Sequence, residues 1–87
     1  MVSYKIEWRR SIKKDLKGIS KSEIPKIIGA VQSLSEEPRP TGSKKLSGSE
    51  FTYRIRIGNY RVIHEIHDET ILIEVVKLGH RKDVYKG

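Results

Sequence analysis

The stretch YRIRIGNYR, residues 53–61, places three arginines at a spacing that could do chemistry. Read as a strand, residues 53–57 alternate with period two, so Arg54 and Arg56 share one face. Gly58 and Asn59 form a two-residue hairpin signal, because both tolerate the positive φ that such turns need. Closing the hairpin there sets Ile57 against Tyr60, Arg56 against Arg61, Ile55 against Val62 and Arg54 against Ile63. Like charges directly opposed in an antiparallel pair are destabilising. A phosphodiester would relieve that repulsion. Guanidiniums grip phosphate through paired N–H groups and keep their charge, which suits a pentavalent phosphorane better than a metal.

A second cluster lies in GHRKDVY, residues 79–85. Gly79 is expected to break the preceding strand, with His80, Arg81 and Tyr85 following within a few residues. A turn at Asp68 and Glu69 puts Arg61 nearly opposite Val76, so residues beyond Leu78 fall near the Gly58 end of the sheet. Four arginines, one histidine and one tyrosine would converge there. An aromatic ring beside such charges can stack on an unpaired base. Lys44 and Lys45, in a loop beside the arginine face, are further candidates for phosphate contact. No histidine and carboxylate have ligand spacing within one element, so no metal site is expected, and nothing calls for a cofactor.

These residues need a scaffold. Val2, Tyr4, Ile6 and Trp8 alternate with polar residues, which predicts a strand whose buried face holds Tyr4 and Trp8. Ile12 and Leu16 at i and i+4 predict a helix over about 10–17, ended by Gly18. Ser20 and Glu23 have the spacing of a capping box, with Pro25 in the first turn of a second helix. Ile24, Ile27, Ile28, Val31 and Leu34 carry that helix to about 34 or 35, where Pro38 and Pro40 stop it. Residues 36–49, rich in Pro, Gly, Ser and Lys, read as a loop. Strands follow over about 53–57, 60–66 and 71–78.

The predicted fold is a two-layer α+β domain in the order β-α-α-β-β-β, mainly antiparallel, with both helices on one face. His64 falls on the helix-covered face as a packed, hydrogen-bonded histidine, and His67 beside a turn as a solvated one. The opposite face is mixed: Arg54, Arg56 and Arg61 crowd one end, beside Ile63, Leu72, Val76 and Leu78. Such a face is a candidate interaction surface.

Composition agrees. Eighty-seven residues allow one domain, 1–87, with a small core. The absence of cysteine excludes disulfide staples and thiolate catalysis. Apolar runs are too short to cross a membrane and no signal-peptide pattern opens the chain, which makes the cytoplasm the expected location. Eighteen Lys and Arg against eleven Asp and Glu leave a net charge of +7. The isoelectric point near 9.8 fits a polyanionic partner.

PRPTGSKKLSG, YRIRIGNYRVIHEI and GHRKDVY, in that order behind a β-α-α start, resemble the RelE branch of the RelE/ParE toxin superfamily over nearly the whole chain. The resemblance implies a RelE-like fold and a small ribonuclease that enters the ribosomal A site. Such an enzyme cleaves the mRNA there with the message's own 2′-hydroxyl as nucleophile, and a cognate antitoxin neutralises it. It also implies site positions: Arg54 and Arg56 on the second strand, Arg61 opening the third, Arg81 after the last strand, and the terminal tyrosine at Tyr85.

Two features depart from the family's pattern. Its best-known members carry lysines where this chain has Arg54 and Arg56, and arginine effectively cannot lose its proton. Those positions therefore read as electrostatic clamps, leaving proton transfer to Tyr85, His80 or the ribosome. Only Lys86 and Gly87 follow Tyr85 in the sequence, so a C-terminal helix of the kind some members carry is not expected. The resemblance also admits other classes of function: a ParE-like inhibitor that binds DNA gyrase and cuts nothing, or an RNA-binding module without catalysis.

Overall fold

The computed structural model describes residues 3–80. Five strands and two helices follow the order β1 (Lys5–Trp8), α1 (Ile12–Lys17), α2 (Ile24–Ser33), β2 (Lys44–Lys45), β3 (Thr52–Ile57), β4 (Tyr60–His67) and β5 (Leu72–His80). They build one sheet in the order β1-β5-β4-β3-β2. β1 pairs with β5 in parallel, and every other pairing is antiparallel. The helices cover one face, giving the expected two-layer α+β architecture. The short β2, inside what the sequence reads as a loop, is an addition. Within the described residues no helix is long and apolar enough to cross a membrane.

The core follows the two periodicities. From the helices come Ile12, Ile27, Val31 and Leu34, and from the sheet Ile55, Val62, Ile66, Ile73, Val75 and Leu78, all buried in one cluster. Helical spacing in α2 and alternation in the strands deliver these side chains to a common layer. His64 lies fully buried on the same face.

The β3–β4 register agrees with the expected pairing at every position named above, including Arg56 against Arg61. Gly58 takes a φ of 59°, which fits a hairpin turn with glycine at its first central position.

β5 differs. An irregularity between Ile63 and His64 lets β5 carry one extra residue: Ile63 pairs with Lys77 but His64 pairs with Val75. This bulge at Val76 reverses which residues face inward. Leu78 therefore belongs to the core and not to the outer face. Arg61 pairs with Gly79 and not with Val76, and the strand continues through Gly79 to His80. The backbone N–H of Leu78 donates to Asp15 Oδ2 at 3.1 Å, tying α1 to the strand just beyond the bulge.

Two local expectations fail for identifiable reasons. Trp8 shares a face of β1 with Ile6, which packs against the core, but it lies at the end of an edge strand and is 38% exposed. Ser20 does not cap α2; it bonds to Ser22, while Glu23 occupies the N-cap without a side-chain cap bond. Glu23 instead pairs with Lys26 at 3.6 Å.

Candidate nucleic-acid interface

Alternation along β3 and β4 sends Arg54, Arg56 and Arg61 to the face away from the helices. Arg56 is exposed, Arg54 half-buried, and Arg61 only 5% exposed. In a two-residue hairpin the pair closing the turn exchanges both hydrogen bonds, so the next pair, Arg56 and Arg61, is the close, non-bonded kind, with Cα atoms roughly 4.5 Å apart. The guanidiniums thus share one neighbourhood.

β2 adds the cationic edge. Lys44 pairs with Arg54 and Lys45 with Tyr53. Lys44 therefore falls on the arginine side, whereas Lys45 falls on the side of Tyr53. Continuing that ladder would set Gly42 against Arg56. Gly42 instead takes a φ of 94°, and Ser43 N donates to Pro40 O at 2.9 Å, so the chain turns away. Residues 55–57 keep an open edge there. A cleft of about 600 Å³ occupies the space, walled by Pro40, Gly42 and Lys44 on one side and by Arg54, Arg56 and Arg61 on the other. Ala30 of α2 and the flanks of Ile55 and Ile57 complete it. An open cleft with four cations and an apolar floor can hold a phosphodiester and a base or sugar together.

His80 is placed differently from the sequence reading. It pairs with Tyr60 and meets that ring edge-on, with centroids 5.9 Å apart. Tyr60 packs against the core, so His80 sits on the helix side of the sheet, apart from the arginines. Arg81 and Tyr85 lie outside the described residues; β5 ends beside the Gly58 turn, immediately before them.

The far end of the same face is acidic. Glu65 and Glu74 pair across β4 and β5, and His67 Nε2 lies 3.2 Å from Glu65 Oε1. These three could offer ligand atoms to a cation. Arg9 already bridges both carboxylates, at 3.3 Å from Glu74 and 4.0 Å from Glu65. The expectation that no histidine and carboxylate have ligand spacing within one element fails here: Glu65 and His67 are two residues apart on β4 and share a face, and Glu74 joins them from the neighbouring strand. The sheet face is therefore polarised, positive at the hairpin and acid-and-arginine at the opposite end.

On the helix side, a polar network escaped the sequence reading. Arg39 Nη2 donates to Asp68 Oδ2 at 2.8 Å and Arg39 Nε to the Tyr53 hydroxyl at 3.1 Å. The Tyr4 hydroxyl donates to Asp68 Oδ1 at 2.6 Å. Arg39 and then Tyr4 hold the Asp68 carboxyl below its ordinary pKa by hydrogen bonding, and Asp68 in turn pushes the Tyr4 hydroxyl up. Beside them, His64 Nε2 donates to Pro38 O at 3.2 Å, and its ring stacks on Tyr53 with centroids 6.1 Å apart. Burial holds His64 below its usual pKa, partly opposed by the Pro38 bond.

Comparison with known proteins gives consistent results. Residues 6–85 match the family model described as ParE toxin of type II toxin–antitoxin system, parDE. The toxin RelE3 of Methanocaldococcus jannaschii is 36% identical over 85 residues, covering 93% of this chain and 94% of its own. Among solved structures, the archaeal RelE–RelB complex from Pyrococcus horikoshii superposes with a TM-score of 0.80 at 27% identity, covering 92% of this chain and 97% of the matched one. The intact E. coli RelBE toxin–antitoxin complex shares the fold, with a TM-score of 0.77 at 20% identity over 90% of this chain and 96% of the other.

Proposed function

The chain belongs to the RelE/ParE toxin family of type II toxin–antitoxin systems, and from that membership and the arginine cleft we propose that it is a ribosome-dependent endoribonuclease. The observation that carries the reading is the convergence of Arg54, Arg56, Arg61 and Lys44 on one cleft. The substrate is single-stranded message in the ribosomal A site. Its 2′-hydroxyl attacks the adjacent phosphorus, the bond to the 5′-oxygen breaks, and the products carry a 2′,3′-cyclic phosphate and a 5′-hydroxyl.

Each residue has a role suited to its chemistry. Arg56 and Arg61 neutralise charge on the phosphoryl oxygens, since their forks need not change protonation state. Arg54 and Lys44 hold neighbouring phosphates, and Lys45 extends the basic edge. Arg81 neutralises the leaving 5′-oxygen, which takes its proton from water or a ribosomal group, while Tyr85 stacks on the displaced base and orients the nucleophile. The proton leaving the 2′-hydroxyl goes to Tyr85, His80 or a ribosomal group; His80 would have to leave the Tyr60 side of the sheet. No step in this scheme requires a metal.

A cognate antitoxin is the natural inhibitory partner, as in the RelE–RelB complexes that share the fold. Charge repulsion at the arginine face favours an antitoxin segment with acidic residues beside apolar anchors.

The matched family description also names ParE, and a ParE-like inhibitor of DNA gyrase is the second reading. Incubating the protein with programmed ribosomes and mapping message ends decides between them. New ends carrying a 5′-hydroxyl in the A-site codon are expected. Intact message, together with DNA synthesis stopping before protein synthesis in pulse labelling, would establish the gyrase reading instead.

A further inference from the structure

The cleft has one wall made of strands and one made of loop, and the loop wall is clamped at its base. Residues 40–42 and Lys44 face the arginines. The two residues just before them, Pro38 and Arg39, are each fixed to the sheet. His64, from the centre of β4, is fully buried and donates to the Pro38 carbonyl. Arg39 reaches Asp68 in the β4–β5 turn and Tyr53 on β3, with its guanidinium 5.1 Å from the Tyr53 ring centroid. Behind them, Tyr4 N donates to Ser35 O at 2.8 Å, and Ser35 Oγ donates to Tyr4 O at 2.7 Å.

A buried histidine is a costly choice for a core that could hold leucine at the same position. What it gains here is one directed bond to a loop carbonyl with no strand beside it. Its other ring nitrogen, Nδ1, is buried without a hydrogen-bond partner among the described residues. The neutral ring carrying its proton on Nε2 is therefore the form that fits.

We infer that His64 and the Arg39–Asp68 pair are positioning residues for the cleft: by fixing Pro38 and Arg39 they set where residues 40–44 stand opposite Arg54 and Arg56. The inference rests on the cleft being the RNA site, but its geometric part is measurable without RNA. Neither His64 nor Arg39 lines the cleft, so both act only through the loop.

The chain has no cysteine, so a single Thr41→Cys substitution carries one spin label on the exposed tip of the wall, and Asn59→Cys carries a control label on the hairpin. His64→Leu and Arg39→Ala are each expected to narrow the spectrum of the label at 41, reporting greater mobility, and to leave the label at 59 unchanged. His64→Gln, whose amide can still donate to Pro38 O, is expected to restore order at 41. If His64→Leu does not fold, Arg39→Ala, an exposed substitution, carries the same test. Equal loosening at both labels, or none at 41, overturns the inference.

Binding of a short single-stranded RNA supplies the second readout. The two loosening variants are expected to bind on the order of tenfold more weakly, the scale on which supporting residues usually act. Arg56→Ala serves as the control for the cleft itself. If Arg56→Ala binds like the wild type, the assignment of RNA to the cleft fails, whereas label mobility still judges the clamp. If Arg56→Ala weakens binding but the clamp variants do not, the positioning role is wrong and the cleft stands.

Discussion

Arg56 and Arg61 face each other across the β3–β4 ladder, and one is exposed while the other is buried. This asymmetry divides the pair's contributions. Arg56 meets solvent and can meet a ligand with little consequence for folding. Arg61, at 5% exposure between β3 and β5, also fills space with its methylene stem. The two positions therefore need different substitutions.

For Arg56→Ala, folding stability should stay within about 0.5 kcal/mol of the wild type, as for exposed positions generally. RNA affinity should fall. Its dependence on log salt should flatten by about 0.7, the value for one neutralised single-strand phosphate. Urea denaturation and binding titrations at several salt concentrations check the two halves.

At Arg61, alanine would mix a lost charge with a packing defect, so lysine is the sharper probe. Arg61→Lys keeps the charge and most of the stem but loses the planar fork. Single-turnover cleavage on programmed ribosomes should slow by on the order of a hundredfold, as for removal of one transition-state donor. Arg81→Ala should lose a similar factor. Wild-type rates in both would remove these residues from the proposed site.

His64 sets a pH dependence of known sign. Its ring faces Tyr53 on β3 and Arg39 in the loop, with apolar Val75 on β5, and burial depresses its pKa in the folded protein. Above about pH 6.5 the ring is neutral in both states. Below that, the unfolded chain binds a proton that the folded chain refuses, so stability falls until the pH reaches the folded ring's own lower pKa. Comparing urea midpoints at about pH 7.5 and about pH 5.5 should show a drop that is smaller in His64→Gln. Asp68, depressed by Arg39 and Tyr4, acts in a separate and more acidic window, where carboxylates titrate.

Two turn positions should respond with opposite signs. Gly58 has a φ of 59°, and Gly58→Ala is expected to lose about 1–2 kcal/mol by placing a Cβ in the left-handed region. Ile71, exposed, has a φ of 53°. That conformation is strained for a β-branched residue. Ile71→Asn should raise stability by roughly 0.5–1 kcal/mol, because asparagine tolerates it. Thermal denaturation of both variants is the check.

Much of this was legible in the sequence because it rests on local rules. Alternation and the Gly58 turn were enough to define the β3–β4 register and the shared face of the three arginines. The helices declared themselves through Ile12, Leu16, Ile27 and Val31. What escaped depends on non-local geometry. The bulge at Val76 has no glycine or proline to mark it, and it moved Leu78 inward; together with a β4–β5 turn of four residues, where two were expected, it reassigned the partner of Arg61. The clamp joins Tyr4, Arg39, Tyr53, His64 and Asp68 from five separate parts of the chain. Lys44 was a candidate from the sequence, but the strand that carries it has two residues, too few for any periodicity.

The parallel pairing of β1 with β5 also fixes an order of events in time. Lys5 finds its partner at Leu72 and Trp8 at Val75, so the first strand has nothing to add to until almost all of the described chain has been synthesised. The β3–β4 hairpin can close early through local contacts, but the sheet cannot be completed before residue 75 is available. A nascent chain still being extended thus carries the arginine hairpin without the finished layer that holds it. Emergence of β5 from the ribosome is the step that turns a growing polypeptide into a folded toxin.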